Sequence, residues 1–200
     1  TSSVSSSSVA REGPDDLTFT QVQSVLWQGD RIQSSDTSVR RIVLSYEGEL
    51  KAGSPVFNIF GELVGFLDST QEATQVIPFE QMANAFRQVL EGEEEIISPR
   101  LGVNAIDLSR TIGLSEELTR GFRSGALLFG SRAVERGSSA QIAGLLVGDI
   151  ILAVDGDAIG EQYTLDDLIV GFSPLDSITL SIDRDGERME ILATLGSLSE

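Results

Sequence analysis

Cysteine and histidine are both missing from this chain of 200 residues, and lysine occurs once, at Lys51. Without cysteine there are no disulfides and no thiolate metal sites, and the redox compartment leaves no trace in the sequence. The missing histidine excludes more, because imidazole is the usual general base and the commonest metal ligand near neutral pH. Any Ser-His-Asp chemistry would have to take its base from another chain or from sequence not present here. No cofactor and no metal site are expected. No apolar run approaches the ~20 residues that a membrane helix requires. Basic residues are scarce as a class, 14 against 31 acidic ones, for a net charge of −17. Phosphate backbones and anionic lipid surfaces are bound through Lys and Arg, so nucleic acid and membrane surfaces are disfavoured as partners. The acidity is spread over both halves and speaks for solubility rather than for a fold. The opening TSSVSSSSVAREGPDD has no positive region followed by an apolar stretch. Residues 1–16 are therefore read as a flexible polar lead and not as a signal peptide.

What is present is 40% hydrophobic, enough for a core, and the length suggests two modest units. Residues 17–29 alternate apolar and polar side chains with β-branched and aromatic enrichment, which predicts a half-buried strand. Residues 39–47 read as a second strand. SPVFNIFGELVGFLD holds two more about a turn at Phe60–Glu62. In TQVIPFEQMANAFRQVLEGEEE the period changes. A short strand gives way to a helix with Phe79, Met82, Ala83, Phe86, Val89 and Leu90 at spacings of three and four. The apolar-free run Glu91–Glu95 is taken as the linker, which divides the chain into units 17–95 and 96–200. A solvated helix end is the plainer account of the same run.

In the second unit RLGVNAIDLS predicts a strand entered through a glycine turn, and SEELTRGF a short helix with Ser115 as N-cap. GALLFGSRAV is a strand. SSAQIAGLL is a short helix with Ser139 as its cap and Ala140, Ala143 and Leu145 packing inward. GDIILAVDGDAI runs as a strand into an Asp155-Gly156 turn. TLDDLIVGF is a helix with Thr164 as cap and Asp167 at the capping-box position. SITLSIDRDGERMEILATL is a hairpin across Asp185-Gly186. The fold class expected is mainly β with short helices.

The block SSAQIAGLLVGDIILAVDGDAI, together with RLGV (100–103) and TLDDLIVGF, resembles the PDZ domain of the HtrA/Deg serine proteases over residues 97–198. The resemblance implies a groove for an extended peptide that adds as a strand, its terminal carboxylate received by backbone amides at the glycine turn. Arg100, Leu101, Gly102 and Val103 would form that carboxylate loop, with Gly102 free to present its amide in a nest. Val103, Asn104, Ala105 and Ile106 would be the pairing strand. Leu165, Leu168 and Ile169 would line the pocket for the last side chain. For these apolar residues a plain core role is the alternative, and for Arg100 a solvated surface position.

Residues 17–90 resemble the second β barrel of the trypsin-like domain that precedes PDZ in the same family. KAGSPVFNIFGELVGF stands against the family's GNSGGPLFNxxGExIGI. Registering on Pro55, Phe57 and Asn58 puts Leu50 at the first glycine, Lys51 at the asparagine and Ala52 at the nucleophilic serine. Gly53 and Ser54 fall on the next two glycines. No catalytic residue is therefore assigned in the degenerate loop Lys51, Ala52, Gly53, Ser54. Ser54 is the only hydroxyl left there, and no histidine exists to activate it. The fold expected is a partial trypsin-like β barrel followed by a PDZ domain.

The function expected is that of a catalytically degenerate HtrA-like protein that binds peptides or protein C-termini. Two alternatives stand beside it. One is the C-terminal chain of an active serine endopeptidase whose His/Asp barrel lies on a missing or separate second chain. The other is an assembly or scaffold module, for which a homo-oligomer is the expected partner. The family resemblance implies an extracytoplasmic location, in the periplasm or cell envelope.

Overall fold

In a computed structural model the described residues are 20–27, 31–46, 50–68 and 74–199. The expected lead 1–16 lies outside them. In chain order they form β1 (Val22–Trp27), β2 (Gln33–Ser34), β3 (Arg40–Leu44), β4 (Pro55–Phe57), β5 (Leu63–Leu67) and β6 (Gln75–Pro78). There follow α1 (Ala83–Glu91), β7 (Ile97–Arg100), β8 (Asn104–Asp107), α2 (Glu116–Thr119), β9 (Ala126–Leu128), α3 (Ser139–Ala143), β10 (Ile150–Val154) and β11 (Asp157–Ala158). The last elements are α4 (Leu165–Ile169), β12 (Ser177–Arg184), β13 (Glu187–Thr194) and β14 (Gly196–Ser199). The chain divides into two compact units. One holds the described residues up to Trp27 together with Arg40–Phe79, and the other those of Gly29–Val39 together with Glu80 onward.

The first unit is an antiparallel sheet of order β1-β3-β6-β5-β4, open rather than closed into a barrel. Its core is small: Leu44, Leu67 and Val76 are buried, with Ile42, Leu50 and Val56 packed against them. The turn between β4 and β5 is organised by Asn58, whose Oδ1 accepts from the amides of Phe60 (2.9 Å) and Glu62 (3.0 Å). That is the local side-chain bond that makes asparagine a turn former.

The second unit carries most of the core. Its main sheet runs β13-β12-β10-β9-β8-β2, with β11 paired to β10. Both Asp-Gly turns form as expected. Asp155 and Gly156 have φ of 49° and 91°, and Asp185 and Gly186 of 53° and 90°, the two positive values that a type I′ hairpin requires. The long arms of the second hairpin pair in continuous register from Ser177↔Thr194 to Arg184↔Glu187. Alternation along the strands sorts side chains to two faces. Val103, Ala105, Ala126, Leu128 and Ile151 join the main core. Ile106, Leu127 and Ile150 join a smaller cluster on the other face.

Helix ends follow their caps. Ser115 accepts from the amide of Leu118, and Thr164 and Asp167 complete a capping box. At α3 the cap is Ser138 and not Ser139. Ser138 holds the extended backbone, and its Oγ accepts from the amide of Gln141 at 3.2 Å. The α1 helix departs from expectation. Phe86, Val89 and Leu90 are 41%, 57% and 85% exposed, and its buried residue is Asn84. The Asn84 amide donates to the carbonyl of Phe172 at 2.9 Å, and Gln88 exchanges two 2.8 Å bonds with the backbone of Ile97. Polar side chains thus hold the helix in the second unit. No helix among the described residues is long and apolar enough to cross a membrane.

Candidate peptide-binding site

The site lies in the second unit, where the chain leaves β7 at Arg100, turns at Leu101–Val103 and enters β8. Gly102 sits at φ 79°, a region that side chains avoid. A Cβ there would stand 2.4 Å from Ser138 Cβ, so the turn needs glycine on both counts. Leu101 and Val103 are fully buried and anchor the turn in the core. The Leu101 carbonyl accepts from the Ala140 amide at 2.9 Å, and the Gly102 carbonyl from Glu135 at 3.0 Å. The amides of Leu101 and Gly102 are left to converge on one point.

That point is a carboxylate of the same chain. Asp36 Oδ1 accepts from the amides of Leu101 (2.9 Å) and Gly102 (3.1 Å). Its Oδ2 lies 3.3 Å from Arg100 Nε, and the Asp36 side chain is only 6% exposed. Arg100 also pairs with Glu135. That hydrogen bond raises the guanidinium pKa above its ordinary value, with Asp36 adding to it and burial opposing. Arg100 is thus partly exposed but ion-paired to two carboxylates.

The residues before Asp36 behave as an added strand. β2 lies antiparallel to β8, with Gln33 opposite Ala105 and Ser34 opposite Asn104. The Ser35 amide donates to the Val103 carbonyl at 2.9 Å, and Ser35 Oγ accepts from the Val103 amide at 3.2 Å. Beyond the turn, the Val39 amide donates to Asp166 Oδ2 at 3.3 Å. The space left between β2, β8 and the start of α4 is about 20 Å³, bordered by Ser34, Ala105, Ile159 and Leu165. That is room for about one water.

Of the residues singled out from the sequence, Arg100, Leu101, Gly102, Val103, Asn104 and Ala105 are brought together at this turn and edge. Leu165 and Ile169 lie buried in the main core, with Leu168 packed against it. Ile106 points to the opposite face of the sheet, with Leu127 and Ile150. Sequence reasoning did not single out Ser35 or Asp36. Nothing in QSSD marks a ligand, since its partners lie more than sixty residues away.

Asp166 is buried beneath this segment, and burial pushes its carboxyl pKa above the ordinary carboxylate value. The hydrogen bonds from Thr164 and Val39 oppose the shift, and Asp167 adds to it. Because the folded-state pKa is the raised one, the stabilising contribution is complete below the ordinary carboxylate range and is lost as pH rises through the folded value. Asp166→Asn is expected to flatten that fall and to leave the protein more stable than the parent at neutral pH. Urea unfolding midpoints across a pH series check this.

In the first unit the loop registered on a protease nucleophile is a closed turn. The Gly53 amide donates to the Leu67 carbonyl at 2.9 Å, and the Ser54 amide to the Lys51 carbonyl at 3.1 Å. Lys51, Ala52 and Gly53 are exposed and Ser54 is half-buried. Those two amides, which follow the registered nucleophile position, are both committed to carbonyls.

The chain is similar to known proteins over most of its length. The family model described as PDZ domain matches residues 99–195. A protein described as probable periplasmic serine endoprotease DegP-like, from Ectopseudomonas mendocina (strain ymp), is 30% identical over 158 residues, 74% of this chain and 32% of that protein. The serine protease Do-like HtrA of Bacillus subtilis (strain 168) is 27% identical over 195 residues, 87% of this chain and 42% of its own length. The chain therefore spans about a third to two fifths of the length of these relatives. Among solved structures, HtrA-type protease AlgW with decapeptide superposes with a TM-score of 0.52 at 20% identity, covering 80% of this chain and 50% of that one. AlgW with tripeptide gives 0.51 at 19% identity, over 84% and 66%. At that identity the superpositions speak for the fold. The chain is a homologue of the HtrA/DegP serine proteases that carries a PDZ domain at residues 99–195.

Proposed function

We propose that the chain retains the peptide-binding activity of its family and has lost the proteolytic one. One observation carries the first part: the amides of Leu101 and Gly102 converge on a carboxylate oxygen beside an edge strand that accepts a β partner. This is the geometry of β-strand addition with carboxylate capture. The same constellation would take the last residues of another polypeptide, with the terminal carboxylate where the Asp36 oxygens now lie. In a protein of net charge −17 the anion is held by local amide dipoles and by Arg100. The second part rests on Ala52 at the nucleophile position and on the closed turn around it. The description of relatives as probable periplasmic serine endoproteases supports an extracytoplasmic setting for this activity.

The test is a fluorescence titration of the chain with apolar-ended peptides, each made as free acid and as C-terminal amide. Measurable binding of the acids, at least ~10-fold tighter than of the amides, is the expected result. Equal binding of both forms contradicts it. For the inert protease loop, a fluorophosphonate probe is expected to leave the chain unlabelled, and Ser54→Ala to change neither folding nor peptide binding. Labelling that disappears in Ser54→Ala would return the chain to the endopeptidases.

A further inference from the structure

The proposed groove is filled in this structure, and by what fills it the chain specifies more than a general taste for C-termini. Residues 33–36 satisfy each requirement of a bound peptide. They pair as an antiparallel strand beside β8, they exchange main-chain and hydroxyl bonds with Val103, and they end on a carboxylate received by Leu101 and Gly102. The carboxylate belongs to a side chain, so the segment continues past Asp36 as an internal ligand. Ser35 Oγ donates to Asp36 Oδ1 at 2.7 Å while accepting from the Val103 amide, so the Ser-Asp pair occupies three amides in succession. We infer that residues 33–36 are a resident ligand of the groove, that the Asp36 carboxylate stands in for a chain terminus, and that incoming peptides bind by displacing it. This rests on the peptide-binding function proposed above and adds its regulation.

Tethering makes the competition effective. The segment is continuous in the chain with Trp27 before it and Arg40 after it, which are paired across β1 and β3, so it is tethered at both ends. A ligand on a short tether acts at an effective concentration on the order of millimolar. An external peptide is then weakened by the fraction of molecules whose groove is open. Ligands that pass this filter are those with a true carboxylate terminus and an apolar last side chain, since the resident segment lines the space beside Ala105 and Leu165 with the polar residues Gln33, Ser34 and Ser35.

The experiment compares the intact chain with Asp36→Ala, using two probes. The first is an apolar-ended free-acid peptide. The second is a capped peptide of sequence RIQSSDTSV, acetylated and amidated so that its aspartate is its only carboxylate. The free-acid peptide is expected to bind Asp36→Ala roughly 10-fold or more tighter than the intact chain. The capped peptide is expected to bind Asp36→Ala in trans, and its Asp-to-Asn version to bind at least ~10-fold more weakly. Equal affinity of the free-acid peptide for both proteins overturns the resident-ligand assignment while leaving peptide binding intact. Failure of the free-acid peptide to bind either protein overturns the underlying function instead. Should Asp36→Ala fail to fold in a thermal melt, Asp36→Asn, which keeps the side chain's shape, takes its place with the same expected direction.

Discussion

Replacing Arg184 by methionine is expected to destabilise the second unit by about 3 kcal/mol, towards the lower end of the range for breaking a buried ion pair. Asp149 is 1% exposed and receives Arg184 on both oxygens, at 2.8 Å from Nε and 2.7 Å from Nη2. The same arginine donates to the Gly144 carbonyl at 2.9 Å, where α3 ends. Asp149 also accepts from the Leu146 amide at 2.8 Å, which keeps part of its charge compensated when the arginine is gone and sets the cost below the maximum. Arg184 itself is a quarter exposed, a further reason for the lower figure. A urea melt checks the loss. The double variant Arg184→Met with Asp149→Asn is expected to recover part of it, because the uncompensated charge rather than the lost contact carries most of the penalty.

Gly102→Ala is expected to cost about 2–4 kcal/mol, the sum of a left-handed backbone for a residue with a Cβ and of overpacking against a fixed neighbour. The neighbour is Ser138 Cβ at 2.4 Å, one bond from the backbone. Ser138 cannot swing away, since its Oγ caps α3 and donates to the Glu135 carbonyl at 2.8 Å. The turn must therefore shift, and with it the amides that receive the carboxylate. Peptide affinity is expected to fall together with the melting temperature. Ser138→Gly in the same chain relieves the contact but leaves the left-handed φ and removes the cap, so it is expected to rescue folding only in part. A neutral Gly102→Ala would contradict the geometry of the turn.

How far the sequence could be read depends on the range of the forces involved. Turns and caps are local, and the two Asp-Gly hairpins, the Ser115 cap and the Thr164–Asp167 box all stand where their residues placed them. The Ser138–Ser139 ambiguity is a shift of one residue, decided by which hydroxyl meets the amide of Gln141. Periodicity misled at α1. Phe86, Val89 and Leu90 form the face of an amphipathic helix, yet they remain exposed while Asn84 and Gln88 hold the helix by hydrogen bonds. A hydrophobic stripe says which face would be buried and nothing about whether a cover is present. The glycine turn at Leu101–Val103 was legible because its glycine and flanking apolar residues are contiguous. The segment that fills it was not, because Asp36 is joined to Leu101 only through the tertiary fold.

The amide resonances of Leu101 and Gly102 report most directly on whether this turn receives carboxylates. With Asp36→Ala labelled with nitrogen-15, addition of an apolar-ended free-acid peptide is expected to move these two signals and those of Asn104–Asp107. The amidated peptide is expected to leave Leu101 and Gly102 in place. Leu101 and Gly102 signals that stay fixed under the free acid, or that move equally with both peptides, would contradict it.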